Sequence, residues 1–300
     1  MSFDIAVMQF FNGISLFTIL LLMAGGLAIV FGLMGVINMA HGELMALGAY
    51  MTYLTARAFE LWAPSWMGVY IFFGIAVAFA TTFVLGYLLE RGFIRFFYKR
   101  PLDTLLATWG LSLILQQAYR SIFGPQEVSV PLASWLSGAW NVTDGIQLPL
   151  NRLFIVGLTF IVAVGVWMVL YRSAWGIRVR AVMQNRAMSG AVGIDTNRVD
   201  ALTFALGSGL AGIAGSVFTM IGSTNPGTGQ LYIIDSFIVV VFGGVASLLG
   251  TAFSSFAIAQ SQTTLEYLMS GSMAKVTILV MVIVALYFRP SGLFTSRVRT

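Results

Sequence analysis

Residues 171–200 read YRSAWGIRVRAVMQNRAMSGAVGIDTNRVD, the longest strongly basic interval of the chain, in which Arg172, Arg178, Arg180, Arg186 and Arg198 supply five of the sixteen Lys and Arg residues. Val179, Val182, Met183, Ala187 and Ala191 recur at helical spacing while Arg178, Gln184, Asn185 and Ser189 fall on other faces. The spacing predicts one short amphipathic helix. Gly193 stops it, and Asp195 or Thr196 is placed to cap the next helix, which runs into an apolar stretch from about Ala201. A basic surface helix of this kind is either a solvated loop satisfying the positive-inside bias or a docking element for a soluble partner.

The flanking composition narrows the setting. With 58% hydrophobic residues, 9% charged residues and a mean hydropathy of +0.90, the chain cannot hide its apolar surface in a soluble core, where about a quarter of residues are normally charged. The expected fold class is an all-α polytopic membrane protein, a single membrane domain over 1–300. The net charge of +5 sits at the ends of apolar runs, where topology and anionic lipid explain it without nucleic acid. No cysteine is present, which excludes thiolate chemistry, and a single histidine, His41, excludes a multi-histidine metal site. The amino-terminal MSFDIAVMQFF carries Asp4 and no basic residue, which argues against a cleaved signal peptide.

Nine apolar runs approach the length that crosses a bilayer, at about 12–34, 42–58, 68–90, 104–122, 152–171, 200–222, 232–249, 251–268 and 274–288. Twelve of the sixteen basic residues fall in 91–103, 172–200 and 289–300, so those intervals are expected on the cytoplasmic side, with the carboxyl terminus inside and the amino terminus outside. Arg57, Arg120, Arg152 and Lys275 then lie at the opposite ends of spans. Residues 123–151, with Trp135, Trp140, Pro125, Pro131 and Pro149, form the longest external segment. No phosphate-loop motif is present, so uphill transport requires an ATPase on another chain or an ion gradient.

Three constellations carry chemistry. The first is Asn38, His41 and Glu43 within GVINMAHGE, polar groups at or near membrane depth that are expensive unless they line water or find partners. They read as part of a translocation path, or as a hydrogen-bonded turn and helix cap. The second is the 104–122 run, capped by Asp103 or Thr104, with Thr108, Ser112 and Gln116 one turn apart on a polar stripe; it suits either a neutral polar solute or hydrogen bonding between spans. The third is the small-residue run with Gly207, Gly209, Gly212, Gly215 and Gly222, read as close helix packing, followed by a turn at Asn225 and Pro226. Enzyme chemistry finds no nucleophile elbow and no metal-ligand pair. A stand-alone channel or ion-coupled carrier using Glu43, Asp235 or Glu266 is the competing transport reading.

The segments GLMGVINMAHGELMALGAY (32–50), RAVMQNRAMSGAVGIDTNRVDALTFALGSGLAGIAG (180–215), FGGVASLLGT (242–251) and FRPSGLF (288–294) resemble, in order and over nearly the whole chain, the permease subunits of branched-chain amino acid ABC importers. Within that family, RPLDTLLATWGLSLILQQAYRSIFGPQ (100–126) looks most like the urea importer permeases. The resemblance implies about eight to nine membrane helices, a second homologous permease, two ATP-binding subunits on the cytoplasmic face and a periplasmic solute-binding protein. It also implies a bacterial inner-membrane location, no cofactor, and solute passage by alternating access, with urea as the expected cargo and branched-chain amino acids as the alternative. On this resemblance the segment around Arg178, Arg180, Arg186, Ala187, Ser189 and Gly193 is the ATPase-coupling element. Ala187-Met188-Ser189 stands where the family carries Glu-Ala-Ala, with Gly193 retained.

Overall fold

The computed structural model describes residues 3–98, 100–143, 146–245 and 247–294. The nine apolar runs each become a helix: α1 (Phe3–Met34), α2 (His41–Trp62), α3 (Tyr70–Gly92), α4 (Pro101–Phe123), α5 (Leu150–Arg172), α8 (Thr196–Phe218), α9 (Thr228–Gly243), α10 (Leu248–Leu268) and α11 (Gly271–Phe288). Two further helices, α6 (Ala174–Gln184) and α7 (Arg186–Ala191), occupy the basic loop. Five helices, α1, α3, α5, α8 and α11, are long and apolar enough by composition alone to cross a membrane. Helices α2, α4 and α10 have comparable length but carry more polar residues, and α9 is shorter.

Helix α8 is the centre of the bundle. Its small residues admit α1, α2 and α3 at backbone contact: Gly207 meets the Gly26 carbonyl of α1, Gly212 the Ala78 carbonyl of α3, and Gly215 the Met45 carbonyl of α2. Close approach of this kind is how helices associate where lipid removes the hydrophobic drive. Leu20, Met23, Leu27, Leu44, Met45 and Phe204 are fully buried around it. Helices α5 and α11, by contrast, expose most of their apolar surface.

The basic segments gather at one end. Tyr98, after α3, lies under the Arg186 guanidinium, and Leu293 and Phe294 bond back to the carbonyls of Phe242 and Gly243 at the end of α9. The opposite end is covered by residues 124–143 and 146–149, where the all-α expectation meets one exception among the described residues: a two-stranded antiparallel hairpin, β1 (Ala139–Thr143) with β2 (Ile146–Pro149). Trp135 stacks on Phe72 and donates to the Gly68 carbonyl at 2.6 Å, fixing this cap to the start of α3. Val128 and Thr224 exchange two backbone bonds, at 2.8 and 2.9 Å, tying the cap to the α8–α9 turn.

One cap differs from the sequence expectation and one matches it. Neither Asp103 nor Thr104 caps α4: the helix starts at Pro101 without a side-chain cap, Asp103 pairs with Arg100, and Thr104 donates to the carbonyls of Phe97 and Arg100. Proline needs no partner for an N–H at that position. At α8 the cap is Asp195, which accepts from the Arg198 N–H at 3.1 Å.

Candidate functional site

The first constellation splits in two. Residues 35–40 do not lead away from α1 but turn back alongside it, starting at Gly35 with φ +67°, so that His41 Nε2 lies 3.2 Å from the carbonyl of Met23. Met23 is about three turns before the end of α1. Asn38 closes the turn, accepting the Ala40 N–H at 3.0 Å, which is an Asx turn. His41 faces α1 with Nδ1 buried and without a partner among the described residues, while Glu43 faces α4.

The second constellation joins Glu43. Ser112 Oγ and Gln116 Nε2 donate to Glu43 Oε1 at 3.0 and 2.9 Å, Tyr119 donates to the Glu43 carbonyl at 2.9 Å, and Thr108 Oγ1 accepts the Met39 N–H at 3.1 Å. Thus α4 is held to the start of α2 along a polar seam two to three turns long. Glu43 is buried and its second oxygen, Oε2, has no partner among the described residues. Of the six path candidates, Glu43, Ser112 and Gln116 form one cluster, Thr108 and Asn38 flank it through the 38–40 turn, and His41 stands apart on the other face of α2.

A feature absent from the sequence reading lies opposite. Residues 225–231 repeat the pattern of residues 38–44: Asn, three residues, Gly, an acid or its amide, then Leu. Asn225 Oδ1 accepts the Gly227 N–H at 2.9 Å as Asn38 does that of Ala40. Gly42 and Gly229, the second residues of α2 and α9, touch backbone to backbone. Two helices therefore begin against each other inside the bundle, each after a re-entering turn, a construction by which membrane transporters bring helix ends to a central pathway.

The basic loop is an elbow rather than one helix. Asn185 interrupts it, adopting extended backbone and accepting the Met188 N–H at 2.9 Å as the cap of α7. The single amphipathic face is broken with it: Val179 and Val182 are buried against Val199, whereas Met183, Ala187 and Ala191 are exposed. Gly193, at φ +89°, ends α7 in a Schellman turn, with Ile194 N–H bonding the Ser189 carbonyl at 3.0 Å and Gly193 N–H that of Gly190 at 3.1 Å. Ile194 packs under Val179 and Val182, and Ser189 is buried. Arg186 is anchored inward on Asp200, Asn197 and the Tyr98 ring. Arg180 folds back to the Leu170 carbonyl and Tyr171 ring, which leaves Arg178 exposed. Tyr98 in turn donates to Glu90, and burial together with that bond pushes its phenol well above the ordinary range. Met188 and Val192, one turn apart, are 61% and 69% exposed at the tip of the elbow, an apolar patch with no partner among the described residues.

At the opposite end of the bundle a cavity of about 670 Å³ opens between α1, α5, α8, α9, α10 and α11. Its charged and amide lining, Arg152, Gln262, Glu266 and Lys275 with Gln9 and Asn12, comes from segments that no sequence motif joins.

The description "Branched-chain amino acid transport system / permease component" matches residues 9–286. The high-affinity branched-chain amino acid transport system permease protein BraD of Pseudomonas aeruginosa is 27% identical, over 95% of this chain and 94% of that protein. The permease proteins LivH of Salmonella typhimurium and Escherichia coli, carrying the same description, are 28% identical over the same shares. No solved structure matches the chain. With the match running through both re-entering turns and the elbow, the chain belongs to the permease-component family of the branched-chain amino acid transport systems.

Proposed function

We propose that the chain is the membrane-spanning subunit of an ATP-driven importer that passes an aliphatic amino acid across the bacterial inner membrane by alternating access, without covalent chemistry. The observation that carries this reading is the elbow α6–α7: a rigid, outward-pointing apolar tip on a basic face, buttressed by Arg186–Asp200 and ended by Gly193. Such a tip suits a soluble partner that pushes on it. ATP-binding subunits dock there, a second homologous permease completes the membrane part, and a periplasmic binding protein delivers the solute to the opposite face. The basic end of the bundle, and with it the carboxyl terminus, is cytoplasmic by the positive-inside bias.

The cargo reading leans on the names of the relatives, all branched-chain amino acid permeases among those cited. Urea, the solute expected from residues 100–126, finds no support in those relatives. It remains a second reading for one reason: Ser112 and Gln116, the donors to Glu43, lie in that stretch. Uptake of radiolabelled L-leucine and urea by cells with and without this chain, in the presence of the remaining subunits, tests both. Loss of leucine uptake alone supports the amino acid, and loss of urea uptake alone replaces it with urea.

A further inference from the structure

The cavity between α1, α5, α8, α9, α10 and α11 holds two charges of opposite sign that do not neutralise each other. Arg152, half-buried in the first turn of α5, donates to the amide oxygen of Asn12 and makes no ion pair among the described residues. Glu266, near the end of α10, accepts from Gln262 Nε2 at 2.9 Å and likewise pairs with no cation among them. The third charge on the wall, Lys275, is already neutralised by Asp235 at 2.8 Å. The mixed lining also carries hydrocarbon, Leu16 and Ile19 from α1 and Phe218 and Ile221 from the end of α8, beside the polar Ser15, Tyr232, Thr263 and Tyr267.

A half-buried guanidinium with no carboxylate partner is expensive in a membrane protein, and Glu266, exposed on the same cavity lining, does not reach it. Set apart on one cavity lining that also offers hydrocarbon, they match a ligand carrying both charges and a hydrocarbon group. We propose that this cavity binds the zwitterion of an aliphatic α-amino acid, with Arg152 on its carboxylate, Glu266 on its ammonium group, and Leu16, Ile19 and Phe218 against its side chain. Asn12 and Gln262 hold the two charged groups in place. Urea, with no net charge at either end, uses neither. This assignment rests on the amino-acid reading proposed above.

The test uses the complete transporter, as wild type and with Arg152→Gln or Glu266→Gln. Radiolabelled L-leucine and urea are offered to cells, and L-leucine binding to the purified membrane complex is measured by calorimetry without the binding protein. The expected result is that each substitution lowers leucine uptake at least tenfold and abolishes calorimetric binding, with membrane abundance and subunit composition unchanged. Leucine uptake and binding at wild-type levels in both variants overturns the cavity assignment and leaves the amino-acid reading intact. Wild-type cells that import urea and not leucine overturn both. Variants that lose the second permease on purification also overturn the assignment, since the two charges then belong to a subunit interface.

Discussion

A Cβ built on Gly42 falls 2.2 Å from the carbonyl oxygen of Gly229, and one built on Gly229 falls 2.2 Å from that of Gly42. The obstacle on each side is backbone at the start of a helix, so neither neighbour yields by rotating a side chain. Gly229→Val is therefore expected to separate α2 from α9, at about 1–3 kcal/mol for overpacking or more. The purified protein should lose several degrees of melting temperature by scanning fluorimetry, and Gly42→Val should do the same. A Gly25→Ala control, where a Cβ has nothing within 4 Å, should leave the melting temperature within a degree or so.

Gly193 meets no obstacle of that kind. A Cβ there enters open space, and the strain comes from φ +89° alone, about 1–2 kcal/mol for an L side chain. Gly193→Trp is expected to open the Schellman turn and displace the α7 tip while the protein still inserts. Co-purification with the ATP-binding subunits should fall severalfold; capture at the wild-type level sinks the docking role of the elbow.

In the seam, Gln116→Leu removes one of two donors to Glu43 Oε1, and leaving a buried carboxylate less satisfied is worth about 1–3 kcal/mol. Uptake should fall several-fold at unchanged expression. Glu43→Leu combined with Gln116→Leu should melt higher than the sum of the single effects predicts, because the carboxylate and the amide that each single change strands are both gone, leaving only the Ser112 hydroxyl to lose its acceptor. Additive effects return Gln116 to simple packing.

Arg186→Gln deprives the buried Asp200 of its cation. Half of the Arg186 side chain is exposed, so the loss is about 1–2 kcal/mol, below that of a fully buried pair. Its expected expression is local: faster trypsin cleavage at Arg178 and Arg180, with the melting temperature of the bundle little changed. Asp200→Asn should retain part of the protection, because an amide still accepts from the guanidinium.

The helices were readable because each apolar run is long, and the Ser112–Gln116 stripe was readable because residues one turn apart share a face. What the stripe faces was not. Glu43 and Gln116 are joined by a crossing of two helices, which local periodicity does not encode. The break at Asn185 escaped because Val179 to Ala191 keeps helical spacing across it, although Asn followed by Arg-Ala-Met is itself a cap signal. The hairpin had a signal too, the alternation of Ile146, Gln147, Leu148 after Asp144-Gly145, which themselves lie outside the described residues. Arg152 and Glu266 sit in separate runs, where Arg152 reads as a span-end charge and Glu266 as a carboxylate for an ion-coupled carrier; their shared cavity is a property of the assembled bundle.

The bridge between Val128 and Thr224, with Glu127 accepting from Ser223 and Asn225, makes the outer cap and the turn before α9 one piece of backbone. The Gly229 contact lies a few residues further along that same strand of chain. Whatever leans on the cap has hold of a short tether whose far end is pinned inside the bundle, so a tug at that surface arrives at the junction of α2 and α9 without being relayed through soft side-chain packing.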